Sequence, residues 1–243
     1  MMKMVWQGGI GQIRRESERY PWRMRSIAKA PDCLYYMGDV DILNQNHSIA
    51  VIGSRRVSQN GMALAYQVGY VLGRKGINVV NGLALGCDTH ALCGALAAGG
   101  KCVAVMPCGL EQIVPASNLS LAKRLLSNGG CLVSEYPPLA PAQRYQYVAR
   151  DRLQSGISDG VLVIEASRDS GTMHTVRYAI RQGRHLACID SHLVGEPTGN
   201  QWIAGLCGTH VMRDARDLDC FLAKIQSEVV YRQMVLNTSS IWI

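Results

Sequence analysis

Ile49-Ala50-Val51-Ile52-Gly53-Ser54-Arg55-Arg56-Val57-Ser58 is the stretch on which the reading of this chain turns. Its four leading apolar residues read as a strand buried on both faces. They run into a glycine, a hydroxyl and two arginines, and a helix is expected from about Asn60. A buried strand, a glycine turn and a helix start present unpaired N–H groups and the positive end of the helix dipole to an anion. Two guanidinium groups at the same turn point to phosphate. The loop is neither G-x-G-x-x-G nor a Walker sequence.

The pattern repeats downstream. Apolar runs at 49–53, 77–81, 101–106, 131–135, 160–165, 185–189 and 209–212 predict strands. Leu64, Val68, Val71 and Leu72 in 61–74 have helical spacing, as do Leu119, Ala122, Leu125 and Leu126 in 117–128, and Met173, Val176, Ala179 and Ile180 in 171–183. Gly76, Gly99-Gly100, Gly129-Gly130 and Gly183 stop these helices. Strands that are apolar throughout imply a parallel α/β sheet with helices on both faces. The segments after the strands (53–56, 82–88, 107–111, 135–138 and 165–172) hold most of the core's Gly, Ser, Arg and acidic residues. Ligands of open α/β sheets bind at the carboxyl ends of the strands, so this rim is the expected functional face. Before Ser48 the reading is a tail or loose helix over 1–19, a short helix over 20–30, an edge strand at 33–37 and a polar connection over 39–47. The expected organisation is a tail and lead-in (1–47), an α/β core (48–224) and a C-terminal tail (225–243).

The 243 residues are 48% hydrophobic, enough for one large α/β core. A net charge of +7 mildly favours polyanionic partners. Arg14, Arg15, Arg19, Arg23, Arg25 and Lys29 read as a solvated basic face, or alternatively as an arm touching nucleic acid. No run approaches transmembrane length and no signal-peptide core is evident, so a cytoplasmic protein with no membrane partner is expected. The nine cysteines form no C-x-x-C and no zinc-like spacing. They read as small buried hydrophobes in a reducing compartment, with no metal, no cofactor and no catalytic residue expected.

In order and spacing, several short motifs resemble the DNA-processing protein A (DprA/Smf) family. They are Tyr20-Pro21-Trp22-Arg23-Met24, Leu34-Tyr35-Tyr36-Met37-Gly38, the Ala50–Ser58 stretch with Gly61, and Asn81-Gly82-Leu83-Ala84-Leu85-Gly86-Cys87-Asp88. Cys108-Gly109-Leu110-Glu111 with Pro115 and Asn118 follows, then Ser134-Glu135-Tyr136-Pro137-Pro138, then Arg150-Asp151-Arg152 with 155–158. Glu165-Ala166, Ser170-Gly171-Thr172-Met173-His174-Thr175, Gly183-Arg184 and Gly199-Asn200-Gln201 complete the set. The resemblance implies an extended, doubly wound Rossmann-like fold that binds single-stranded DNA, dimerises and loads the recombinase RecA during natural transformation, without being an enzyme. The wider superfamily includes small-nucleotide sensor domains and phosphoribohydrolases acting on nucleoside monophosphates. The chain departs from the family pattern in having Asp151 for an asparagine, Leu92 for a histidine, Val114 for a tyrosine and Asp190-Ser191 for Pro-Gly. By the same resemblance the small C-terminal domain of many members is expected to be missing, and the helical N-terminal domain missing or reduced.

The expected phosphate-binding residues are Gly53, Ser54, Arg55, Arg56, Gly82, Arg150, Arg152, Ser170, Gly171 and Thr172. On a helix Arg150 and Arg152 diverge by roughly 200°, so one reaches the ligand while the other pairs with Asp151, Asp159 or Glu165. Ser170 or Asp169 is the expected cap of the helix that follows. The phosphoribohydrolases carry a glutamate where this chain has Thr175, and no paired carboxylate is evident elsewhere on the rim, although Glu111, Glu135 and Glu165 lie there. Asp88 reads as the N-cap or an early-turn acid of the next helix. Tyr136, Tyr145, Tyr147 and Trp202 are the candidate base-stacking platforms, with Tyr145 and Tyr147 foremost. The expected function is single-stranded DNA binding in DNA uptake and recombination. A small-nucleotide sensor is the alternative, and a hydrolase ranks last.

Overall fold

In a computed structural model, residues 9–239 are described, with side chains as far as 227; residues 1–8 and 240–243 of the expected tails lie outside them. The strands among the described residues are β1 (Gly11–Arg14), β2 (Cys33–Gly38), β3 (Ser48–Ile52), β4 (Asn78–Asn81), β5 (Cys102–Val105), β6 (Cys131–Ser134), β7 (Gly160–Val163), β8 (His185–Ile189) and β9 (His210–Met212). They form one sheet in the order β1-β2-β6-β5-β4-β3-β7-β8-β9. From β6 to β9 all neighbours are parallel, while β1 and β2 are antiparallel. The fold is therefore a Rossmann-like α/β architecture, as expected. The helices are α1 (Ile42–Gln45), α2 (Gln59–Arg74), α3 (Cys87–Ala97), α4 (Leu119–Ser127), α5 (Arg144–Ile157), α6 (Thr172–Arg181), α7 (Thr198–Ala204) and α8 (Ala215–Ser239). None of the described helices is long and apolar enough to cross a membrane.

Every residue of β3 is buried because the strand feeds two cores. Ile49 and Val51 pack with Leu72, Leu92, Leu125 and Phe221 on one face. Ala50 and Ile52 pack with Met24, Leu153, Ile157 and Val176 on the other. Alternate side chains leave a strand in opposite directions, so an unbroken apolar run is what a doubly covered strand requires. From β3 the chain winds outward through β4, β5 and β6. It returns along α5 to set β7 against β3, then winds out the other way to β9. The switch point, where the crevice of such a sheet opens, lies between β3 and β7.

Two expectations are corrected. Residues 11–14, expected in a tail or loose helix, form β1, which makes β2 the second strand rather than the edge. The polar connection over 39–47 contains α1, with Ile42 and Leu43 fully buried. The helix that begins before Phe221 continues to Ser239. The run at 185–189 is paired on both sides, and the sheet edge beyond it is β9.

The basic lead-in is not a solvated face throughout. Arg23 is 3% exposed and forms an ion pair with buried Asp159, while its guanidinium also donates to the carbonyls of Leu43 (2.8 Å) and Asn46 (3.2 Å). Asp159 accepts the N–H of Ser48 at 2.9 Å and faces His47 Nδ1 at 3.4 Å. One carboxylate thus fastens the lead-in to the starts of β3 and β7. Burial pushes the Asp159 carboxyl up, but the His47 contact, the Arg23 charge and hydrogen bond, and the Ser48 N–H together outweigh it and hold it below the ordinary range. Asp159→Ala, which strands Arg23, should cost about 3–5 kcal/mol in urea unfolding. Because the folded-state pKa is depressed, this stabilisation is present above the unfolded carboxyl's range and is lost as pH falls through the folded value. The stability gap between wild type and Asp159→Asn should therefore narrow below about pH 4.

Candidate anion-binding cavity

Three loops meet at Gly53 and Ser54. The Ser54 N–H donates to the Glu165 carbonyl at 2.7 Å, and the Cys87 N–H donates to the Ser54 carbonyl at 3.1 Å. A Cβ at Gly53 would collide with Cys87 Sγ and lie 2.9 Å from the Glu165 carbonyl oxygen, so only glycine fits. The loops after β3, β4 and β7 are locked together here. Beyond the junction Arg55 and Arg56 are exposed and form no ion pair among the described residues. The Arg55 guanidinium lies 5.6 Å from the ring centroid of Tyr147.

The N-terminus of α2 is not the open anion site that the sequence suggests. Ser58 caps it by accepting from the Gly61 N–H at 3.0 Å. The Glu165 carboxylate accepts from Ser58 Oγ at 2.6 Å and from the Ser58 N–H at 3.0 Å. An internal acid occupies the place where an external anion was expected. The N-terminus of α6 is the open one. No side chain caps it, since Ser170 Oγ donates instead to the Ser167 carbonyl at 2.7 Å. The N–H groups of Gly171 and Thr172 find no protein acceptor among the described residues.

A cavity of about 590 Å³ opens at the switch point between these loops. Gly53, Ser54, Arg55, Arg56, Arg150, Ser170, Gly171 and Thr172 line it, together with Tyr147, Asp88, Asp151 and His174. Arg150 is 4% exposed and donates through one terminal nitrogen to the Val105 carbonyl at 2.6 Å, while its buried Nε has no hydrogen-bond partner. Gly82 does not line the cavity. It makes room for Arg150, because a Cβ there would overlap the guanidinium. Arg152 points elsewhere and clamps Glu135 through both terminal nitrogens, at 2.7 and 2.5 Å, while also donating to the Lys29 carbonyl. The divergence expected on a helix is present, but Arg152's partner is Glu135 rather than Asp151, Asp159 or Glu165.

Two acids flank Arg150 in the cavity, which corrects the expectation that the rim holds no paired carboxylate. Asp88 accepts the N–H groups of Gly82 (2.9 Å) and Ala84 (3.2 Å), and burial pushes it up to about 6 against the Arg150 charge and those donors. Asp151 has one carboxyl oxygen 3.4 Å from Arg150 Nε and 2.8 Å from Gln154 Nε2. Burial pushes it up to about 7, with the Asp88 charge adding to the effect and Arg150 opposing it. Of the rim glutamates, Glu135 and Glu165 are occupied by Arg152 and by Ser58. Among the described residues no group of three His, Cys, Asp or Glu side chains could hold a metal ion.

The family model for DNA recombination-mediator protein A matches residues 12–218. The chain belongs to this family. It is 31% identical to the DNA processing protein DprA of Bacillus subtilis over 185 residues, which are 76% of this chain and 62% of that protein. The chain therefore spans less than two thirds of that relative's length. It is similar to the solved structure of DprA from Streptococcus pneumoniae, with TM-score 0.79 and 31% identity over 87% of this chain and 74% of that one. It shares its fold with a Helicobacter pylori DNA processing protein A whose structure was described for its single-stranded DNA binding mode (TM-score 0.80, 24% identity, 93% and 99% coverage).

Several motifs of this family member prove to be braces. Asn118 Nδ2 donates to the carbonyl of Leu83 (2.8 Å) and to Thr89 Oγ1 (2.9 Å), and Asn81 Oδ1 accepts from the Leu83 N–H (3.0 Å). Together they hold the loop over 82–88, where Leu83 has φ 57°. Asn200 ties the ends of β7 and β8 by accepting from the Ala166 N–H and donating to the carbonyls of Ile164 and Ile189. Of the aromatic candidates only Tyr147 lines the cavity; Tyr145 is 63% exposed, and Trp202 lies under Arg168. Gly82→Ala should cost about 1–3 kcal/mol in chemical denaturation, because the methyl group displaces a buried guanidinium. Combined with Arg150→Ala it should cost less than the sum of the two single changes, a coupling that a double-mutant cycle measures.

Proposed function

We propose that this chain binds single-stranded DNA with its phosphodiester backbone in the switch-point cavity. Arg55, Arg56 and Arg150 supply the charge, the α6 N-terminus supplies free N–H donors, and Tyr147 offers a ring for a base. The observation that carries this reading is the convergence of three guanidinium groups, two of them without ion pairs among the described residues, on a cavity beside an uncapped helix start. Family membership supports the same ligand, as does the fold shared with the Helicobacter protein. On this reading the protein acts in the cytoplasm in DNA uptake and recombination. It works as a homodimer and hands the strand to the recombinase RecA.

The role is binding rather than catalysis. The position of the phosphoribohydrolase glutamate is Thr175, a residue 2% exposed without a carboxylate. The cavity volume also suits a small nucleotide, which favours the sensor as the second reading.

Salt-titrated binding of oligo-dT tests the proposal. Affinity should fall steeply with salt. Arg55→Ala should weaken binding across sequences and reduce the salt slope by about one, whereas Arg152→Ala should leave the slope unchanged. An Arg55→Ala protein that binds like the wild type would overturn the assignment of the cavity. Thermal stabilisation by a mononucleotide, without oligonucleotide binding, would favour the sensor.

A further inference from the structure

The phosphate reading gives no purpose to Asp151, a residue of the cavity wall. Asp151 is 13% exposed at its side chain, and the oxygen that faces Arg150 and Gln154 is Oδ1. Its Oδ2 accepts no hydrogen bond among the described residues. The charged and titratable groups around it come from every wall. Arg150 is on its own helix, Asp88 is on α3, Arg55 and Arg56 come from the loop after β3, and Asp169 and His174 follow β7.

An entering phosphate brings negative charge beside a nearly dehydrated carboxylate that already faces Asp88. Like charges in a partly desolvated site repel strongly, and the less costly state is the neutral acid. Protonation also converts Oδ2 from an acceptor, which repels a phosphate oxygen, into a hydrogen-bond donor. Resting on the proposed function, we propose that Asp151 is a proton-linked ligand residue: phosphate binding draws one proton from the solvent onto the Asp88–Asp151 pair, and the neutral Asp151 donates it in a hydrogen bond to a phosphate oxygen. The covalent balance is one proton taken up and no bond broken. The cavity is poised for this, since burial already lifts Asp151 to about 7 and Asp88 to about 6.

The sign follows from linkage. A bound anion raises the carboxyl pKa further, so affinity is highest at low pH and falls as pH rises through about 7. The substitution Asp151→Asn keeps the shape of the side chain and supplies a permanent donor without the charge.

Titration calorimetry of the full chain with oligo-dT at pH 7, in two buffers of different ionisation enthalpy, counts the protons exchanged. The wild type should take up a measurable fraction of a proton and lose about three- to tenfold in affinity between pH 6 and 8. Asp151→Asn should take up less and bind at pH 8 nearly as well as at pH 6. His174→Gln, which leaves Asp151 in place, should retain most of the uptake. Zero uptake by the wild type overturns the proposal whether or not any variant folds, as does identical uptake by wild type and Asp151→Asn. If Arg55→Ala still weakens binding in those cases, the proposed function stands and only the proton linkage falls. An Arg55→Ala protein with unchanged affinity overturns both.

Discussion

The backbone of Ser54 is the fixed point of the molecule. Its N–H is taken by the loop after β7, and its carbonyl by the first residue of α3. These two bonds join segments that belong to opposite windings of the sheet. They bring Arg55, Asp88 and the 165–172 loop to one place, and Gly53 must be glycine for them to form. The surrounding architecture serves this junction: Asn81 and Asn118 hold one loop from beneath, and Asn200 holds another. An arrangement fixed largely by backbone bonds leaves the side chains above it free to face solvent and ligand.

Charge is distributed on two levels. At the surface, Arg55 and Arg56 are free to meet an anion. Beneath them, Arg150 is fixed to the Val105 carbonyl and bounded by two acids, so its charge is partly neutralised before a ligand arrives. Two residues along the same helix, Arg152 is fully engaged by Glu135. Identical side chains in one short motif thus have separate roles, one in the cavity and one joining α5 to the segment after β6.

The sheet was legible because its signal is local. Seven mostly apolar runs of strand length require no partner to be recognised, and all seven contain strands. The carboxyl rim was legible for the same reason, and most of the expected site residues do converge there. What could not be read were pairings across long separations. Nothing in the spacing places Asp88 beside Asp151, gives the Ser58 cap to Glu165, or sends Arg23 to Asp159. The strand β1 was missed because four residues with one buried side chain give too weak an alternation to register. The α2 terminus was misread because the rule for helix starts does not say whether an internal acid has already taken the position.

The order of the strands also sets the order in which the molecule can assemble. As the chain emerges during synthesis, β3, β4, β5 and β6 can pair in succession, since each is followed by its own helix and its neighbour. The other side of β3 must wait for β7, and Ser48 and Asp159 are 111 positions apart. Until then the nascent half-sheet carries a bare edge of unpaired backbone groups on a mostly apolar strand, the kind of surface on which unfinished chains associate. The contact that closes that edge also completes the crevice, so the nascent protein becomes competent for its ligand at the same step that ends its exposure to self-association.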